Sequence, residues 1–100
     1  MADQTNAMNI RRIARIEAKP GLAASMRAAL LELEQATREE EGCREFTFFQ
    51  ALGDESAFLL IEDFASADAL ETHMKLPHTQ GFFARQLAAS IKLVEPAWMS

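Results

Sequence analysis

The first half of the chain changes from a strand pattern to a helix pattern at a short turn. β-Branched isoleucines are interspersed with arginines over residues 10–18, and the turn residues Lys19-Pro20-Gly21 follow directly. From Leu22 onward, apolar residues recur at every third or fourth position, which is the period of one face of an α-helix. The pattern predicts a first strand and then an amphipathic helix, with Gly42 as its C′ residue.

Two apolar segments in the middle of the chain predict an antiparallel hairpin. Residues 43–52 and 57–65 are rich in aromatic and aliphatic side chains. Between them lies Gly53-Asp54-Glu55-Ser56, which is short, polar and made of residue types favoured in turns. We therefore expect the second and third strands to pair across this connection.

The last third of the chain predicts two short helices and a final strand. Ser66 is a candidate N-cap for a helix that Pro77 would stop. A third helical stretch is expected at about residues 79–89, and a strand pattern resumes over residues 91–98. Pro96 favours an edge or strand-end position, because proline cannot donate a ladder hydrogen bond.

The order of these elements, β-α-β-β-α-(α)-β, predicts an α+β fold of the ferredoxin-like, split βαβ type. In this arrangement two main helices cover one face of a four-stranded antiparallel sheet. A chain of 100 residues has the size of one domain. We expect a flexible tail over residues 1–8 and a single domain over residues 9–100.

Both faces of the predicted sheet are apolar, which an antiparallel sheet with one wet face would not show. The helices can bury only one set, and the other would form a larger exposed apolar patch than monomers usually carry. We therefore predict a homodimer through the open sheet face. The two sets are Phe46, Phe48, Phe58, Leu60 and Phe64 on one face, and Phe49, Leu59 and Ile61 on the other.

Composition and charge exclude several classes of partner. The net charge is −5, with 15 acidic residues against 10 basic ones, so no broad positive field would attract nucleic acid. The apolar runs are too short to cross a bilayer, and no membrane partner is expected. The single cysteine, Cys43, fits a reducing compartment, and we expect a cytoplasmic protein.

Three consecutive glutamates, Glu39, Glu40 and Glu41, lie near the end of the first predicted helix. The helix dipole disfavours negative charge there, so local helix stability does not explain them. They are expected to form a solvated acidic surface, with pairing to arginines of a neighbouring chain as the alternative.

Several short segments, in this order and spacing, resemble the antibiotic biosynthesis monooxygenase superfamily. They are Ala18-Lys19-Pro20-Gly21, Glu41-Gly42-Cys43, Glu62-Asp63-Phe64, and the stretch from His73 to His78 around Pro77. The resemblance covers about residues 10–95 and implies a dimeric α/β barrel with a pocket in each subunit. It further implies oxygenation of a quinol or polycyclic phenol, a small aromatic substrate, without metal, haem or flavin as cofactor.

Two positions depart from the patterns of this superfamily. Phe64 stands where related chains often carry a tryptophan, which weakens its assignment as a substrate-stacking residue. Alignment with the haem-degrading branch places Ala14 and Phe83 where that branch has its asparagine and its axial histidine. Haem binding is therefore disfavoured.

His73 is the candidate catalytic base. An imidazole is largely neutral at pH 7, and His73 lies one turn after Leu70 at the edge of the second helix's apolar face. The alternative is a histidine that only satisfies a hydrogen bond at the margin of the core. His78, just after Pro77, is interpreted as a helix-start residue or as a substrate-binding residue.

The remaining candidates for substrate binding are three phenylalanines and a glutamate. Phe64, Phe82 and Phe83 would form an aromatic wall or belong to the plain core. Glu62 would orient a base or bind a hydroxyl, or it would pair with Arg12 or Arg15 across the sheet. No metal-ligand spacing, phosphate-binding loop or Ser/His/Asp set is found in the sequence.

Three functions agree with these observations. The first is the cofactor-independent monooxygenase. The second is a non-catalytic dimeric domain that binds a small ligand or responds to stress, and the third is an isomerase or degradation enzyme of an aromatic pathway that does not use oxygen.

Overall fold

The computed structural model describes residues 8–94 as one four-stranded antiparallel sheet with three helices. The elements are β1 (Ile10–Ala18), α1 (Ala23–Thr37), β2 (Cys43–Ala51), β3 (Asp54–Phe64), α2 (Ala67–Lys75), α3 (Pro77–Ala84) and β4 (Ala88–Leu93). The strand order is β2-β3-β1-β4, so the two halves of the chain interleave. The prediction of an α+β, ferredoxin-like fold is confirmed.

The sheet register separates an inner face, which the helices cover, from an outer face. On the inner face Ala14 is paired with Leu60, and Leu60 with Phe48. On the outer face Ile13 is paired with Ile61 in the neighbouring row. The inner face and the helices form the core, whose largest fully buried apolar side chains are Phe46, Phe64 and Met26.

The first helix ends earlier than its sequence predicts. It begins after Leu22, one residue later than expected, and its last residue is Thr37, so the prediction that Gly42 is its C′ residue is wrong. The Glu40 N–H bonds the carbonyl of Thr37 at 3.0 Å, which turns the chain away from the helix axis. Three consecutive glutamates would also meet the negative end of the helix dipole if the helix continued.

Gly42 has a packing role instead. A Cβ atom at this position would lie 2.4 Å from the Cβ of Ala69, in the first turn of α2. The carbonyl of Gly42 also accepts a hydrogen bond from the N–H of Ala65 at 2.8 Å. Glycine therefore lets the turn after α1 approach the start of α2 closely.

The hairpin connection is shorter than predicted. The turn consists of Leu52 and Gly53, and β3 begins at Asp54 rather than at residue 57. Ala51 is paired with Asp54 across the turn, after a register shift next to Gln50. The polar residues of the predicted loop thus belong to the strand end.

The helical segments around Pro77 also differ from the prediction. Pro77 stops α2 as expected, but it also begins α3, where a missing N–H costs nothing. The third helix ends at Ala84, because Gln86 adopts a left-handed backbone with φ of 52°. The last strand therefore begins at Ala88 rather than at residue 91, while Pro96 lies outside the described residues.

Within residues 8–94, none of the helices has the length and apolar character that a bilayer span requires.

Candidate active site

The second helix places His73 against the inner face of the sheet. Ser66 caps this helix as predicted, since its hydroxyl accepts a hydrogen bond from the N–H of Ala69 at 3.1 Å. The His73 side chain is only 4% exposed. Its ring packs on Phe64 and Phe46, with centroid distances of 4.9 and 5.3 Å. The imidazole is thus a polar group in an aromatic environment.

One carboxylate oxygen joins His73 to the other histidine of the chain. Glu40 Oε2 lies 2.8 Å from Nδ1 of His73 and 2.5 Å from Nε2 of His78. The Glu40 side chain is 9% exposed, whereas that of His78 is 26% exposed. We call Glu40, His73 and His78 the Glu-His-His cluster. It runs from the buried core to the protein surface.

The chemistry of a carboxylate fixes where the ring protons lie in this cluster. An ionised carboxylate only accepts hydrogen bonds, so both nitrogens that face Glu40 carry a proton. Nδ1 of His73 is therefore the donor, with the Thr79 hydroxyl at 3.3 Å beside it. Nε2 of a neutral His73 then has a free lone pair, which is the requirement for a general base.

A cavity of about 230 Å³ lies between the inner face and the three helices. We call it the inner cavity. His73 and Thr79 contribute its polar wall on the helix side, and Arg12 and Glu62 on the sheet side. The rest of the lining is mostly apolar: Ala14, Ile16, Leu33, Phe46, Phe48, Leu60, Met74, Phe82, Phe83, Ile91 and Leu93.

Arg12 and Glu62 form an ion pair across β1 and β3. Arg12 Nε donates to Glu62 Oε2 at 2.8 Å, and the two residues are directly opposite in the register. The Glu62 side chain is 4% exposed, whereas Arg12 is a third exposed. This is the cross-sheet pairing that the sequence offered as an alternative for Glu62, and it places a positive charge in the cavity wall.

The predicted site residues divide into two groups. His73, Glu62, Phe82 and Phe83 line the inner cavity together. Phe64 does not line it, because it packs behind the His73 ring and is fully buried there.

His78 lies outside the lining of the inner cavity. As the second residue of α3 it confirms the prediction of a helix-start residue. Its ring lies on the other side of Glu40, in a surface groove of about 370 Å³ that Glu32 and Arg85 also line.

Sequence reasoning missed Glu40 and two aromatic residues of the cavity wall. Glu40 was interpreted as solvated acidic surface, which holds for its exposed neighbours Glu39 and Glu41 but not for Glu40 itself. Phe46 and Phe48 were assigned to one face of the hairpin but not to the site. The sequence does contain one indication: in the predicted hairpin, Phe46 and Phe48 lie on the same face as Glu62.

The Glu-His-His cluster also contains the donor atoms that a metal ion would need. Its three ligand atoms all lie within 4.8 Å of one another. The sequence does not reveal this grouping, because Glu40 is 33 positions away from His73.

Cys43, at the start of β2, lies in an environment that disfavours its thiolate form. Its thiol pKa is raised mainly by burial and, to a smaller extent, by the negative charge of Glu40. A raised pKa keeps the sulfur protonated and weakly nucleophilic at neutral pH. The thiol is therefore not a nucleophile of this site.

Comparisons with known proteins agree on one family. The family described as antibiotic biosynthesis monooxygenase matches residues 9–85. YcnE of Bacillus subtilis, which is named as a candidate monooxygenase, is 31% identical over 70 residues, or 70% of this chain and 74% of YcnE. Rv0793 of Mycobacterium tuberculosis, named likewise, is 32% identical over 73 residues, or 73% of this chain and 71% of Rv0793.

A solved structure extends the similarity to the whole fold. The crystal structure of PA3566 from Pseudomonas aeruginosa superposes with a TM-score of 0.82 at 28% identity. The superposition covers 92% of this chain and 94% of PA3566.

Proposed function

Because this chain belongs to the antibiotic biosynthesis monooxygenase family, we propose that it oxidises a small quinol or phenol with dioxygen and without metal, haem or flavin. The observation that carries the proposal is His73, buried in the wall of an aromatic cavity with its Nδ1 held by Glu40. In this proposal Nε2 of His73 is the proton acceptor for an aromatic ring that binds in the cavity.

The chemistry needs little from the protein because the substrate supplies the electrons. Dioxygen has a triplet ground state and reacts slowly with closed-shell molecules, whereas a phenolate or hydroquinone anion can transfer one electron to it. In the overall reaction the substrate loses two hydrogen atoms and gains one oxygen atom, and the second oxygen atom leaves as water. The protein must bind the ring, remove a proton and exclude bulk solvent.

We assign the proton transfer to His73 and the stabilisation of the anion to Arg12. Nε2 of His73 accepts the phenol proton, and Glu40 stabilises the imidazolium that forms. Arg12 donates one N–H group to Glu62 and has further N–H groups that can donate to the phenolate oxygen. Charge development then takes place in a largely apolar site, where electrostatic interactions are stronger than in water.

The size of the inner cavity restricts the substrate. Its volume of about 230 Å³ is that of about eight water molecules at roughly 30 Å³ each. This space suits one or two fused aromatic rings between Phe82 and Phe83 and the sheet. We therefore expect naphthalene-sized quinols to react faster than larger polycyclic phenols.

We further propose that the protein is a cytoplasmic homodimer and that its outer sheet face is the interface. Ile13, Leu59 and Ile61 are half-buried on that face, and Phe49 beside them is 48% exposed. A second copy related by a two-fold axis would cover this apolar stripe with an identical one and so form a dimeric barrel. The cytoplasmic assignment is supported by the single cysteine.

The alternative function is a non-catalytic domain that binds a small ligand or responds to stress. One observation favours it: the inner cavity is below the roughly 300 Å³ at which typical ligand pockets begin. In that case His73 and Glu40 would only stabilise the packing of α2 on the sheet.

The test is oxygen uptake and quinone formation by the metal-stripped protein, measured with naphthohydroquinones and with larger polycyclic phenols. We expect turnover above autoxidation that decreases about 10²- to 10⁴-fold in His73→Gln, the usual contribution of a general base. Glu71→Gln is the matched control, because Glu71 is exposed on the same helix and pairs with the exposed Lys75. Quinone analogues that bind the protein while no substrate exceeds autoxidation would establish the binding domain instead.

A further inference from the structure

We propose that the Glu-His-His cluster is a binding site for a divalent transition-metal ion of the zinc type. Two imidazoles and one carboxylate from separate segments place their ligand atoms within 4.8 Å of one another. This donor set, two histidines and one carboxylate, is a recurrent one for first-row metals in proteins.

The two distances from Glu40 to the imidazole nitrogens are close to what a bound ion requires. With metal–ligand bonds of about 2.0–2.2 Å, tetrahedral geometry places the ligand atoms about 3.4 Å apart. Glu40 Oε2 is now 2.8 Å from one imidazole nitrogen and 2.5 Å from the other, so each contact must open by less than 1 Å. The turn that carries Glu40 lies outside α1, which allows this adjustment.

The cluster has an access path and a position for a further ligand. His78 lines the surface groove of about 370 Å³, so an ion can arrive from solvent without crossing the inner cavity. Glu32 and Arg85, which carry opposite charges, line the same groove. The Thr79 hydroxyl lies 3.3 Å from Nδ1 of His73, close enough to bond a metal-bound water.

The ligand types select the ion. Magnesium and calcium prefer sets of oxygen ligands, and magnesium gives up its water reluctantly. Imidazole nitrogens favour zinc, cobalt, nickel and copper, with affinities that increase toward copper. Zinc therefore is the probe of choice, cobalt is its spectroscopic substitute, and magnesium is the negative control.

A bound ion would reverse the role of His73 in the inner cavity. Without metal, the protons lie on Nδ1 of His73 and on Nε2 of His78, where both face Glu40. A metal ion binds those same nitrogens, and each neutral ring then keeps its proton on its other nitrogen. Nε2 of His73 changes from proton acceptor to donor, so zinc would inhibit a protein that uses it as a base. The metal site itself does not depend on that function.

The decisive experiment is a calorimetric zinc titration of the metal-free, tag-free protein. We expect one zinc ion per chain with a dissociation constant in the micromolar range or below, and no comparable binding of magnesium. His78→Gln and Glu40→Gln should each weaken zinc binding at least about tenfold. The His78 side chain is 26% exposed, more than that of Glu40 at 9%, so its variant tests the site even if Glu40→Gln fails to fold. Glu41→Gln, an exposed neighbour, should bind zinc like the unchanged protein.

Imidazole NMR gives a second readout that needs no substrate. The chain has only 2 histidines, so both rings can be assigned by comparison with His78→Gln. Zinc should convert the His73 ring from the Nδ1–H form to the Nε2–H form. The proposal is wrong if the protein shows no saturable zinc binding in the micromolar range. It is also wrong if zinc binds equally well to His78→Gln and Glu40→Gln, or leaves both rings unchanged.

Discussion

The two faces of the sheet differ in the partners that their side chains have. On the inner face, His73 and Glu62 are polar groups among aromatic side chains, and each has a partner within the chain, Glu40 or Arg12. On the outer face Ile13, Leu59 and Ile61 form an apolar stripe next to the exposed side chain of Arg15, and the helices in the described part of the chain leave this stripe uncovered.

This difference relates the inner face to the proposed chemistry and the outer face to the proposed dimer. A buried polar group destabilises the fold unless it is hydrogen-bonded, and Glu62 and His73 meet this condition through Arg12 and Glu40. The apolar centre of the outer face requires only a complementary apolar surface. The inner face thus holds the polar groups that the proposed catalysis needs, and the outer face holds the apolar surface that the proposed association needs.

The largest expected difference between the faces concerns stability. Phe46→Ala removes a side chain that is 2% exposed and packs on the His73 ring, and it should lower the free energy of unfolding by about 3–5 kcal/mol. Phe49→Ala on the outer face removes a half-exposed ring and should mainly affect association. Urea unfolding at several protein concentrations measures both. The assignment of the faces would be contradicted if both variants lost the same free energy of unfolding and if neither loss depended on protein concentration.

The next effect concerns association. Ile61→Glu places a charge in the centre of the outer face, and a charge buried without a partner should weaken the dimer by about 2–3 kcal/mol. Light scattering should then report monomers at micromolar concentration. Leu52→Glu is the matched control, because Leu52 is fully exposed in the hairpin turn and its variant should stay dimeric. An unchanged protein that is monomeric would overturn the dimer proposal.

The smallest effect concerns Cys43 at the margin of the inner face. Its pKa is raised by burial and by Glu40, so the folded protein holds the thiol proton more tightly than the unfolded chain does. This contribution to stability is complete below the thiol pKa of the unfolded chain and is lost as the pH rises through the raised value. Iodoacetamide should alkylate the folded protein more slowly than the urea-unfolded chain at neutral pH. Equal rates would show that the thiol is not protected.

Most of the fold could be predicted because it depends on local patterns. The isoleucines of β1, the helical spacing after Leu22 and the cap at Ser66 each act within a few residues. The errors arose where a longer-range contact decides the structure. Gly42 was assigned to a helix end, whereas its position is determined by Ala69.

The site was less predictable than the fold for the same reason. His73 could be proposed from its place at the edge of a helix, and Phe82 and Phe83 from their aromatic character. Glu40 could not be distinguished from Glu39 and Glu41, because only the folded chain brings it to the two histidines. Phe64 was predicted to belong either to the aromatic wall or to the core, and tertiary packing places it behind the His73 ring.

The most direct test of the account is a crystal structure of the protein with a bound hydroxynaphthoquinone. The account predicts the ring system in the inner cavity, beside Phe82 and Phe83, with a ligand oxygen within hydrogen-bond distance of Nε2 of His73. Binding on the outer face, or binding in the cavity without any contact to His73, would contradict the assignment of His73 as the base.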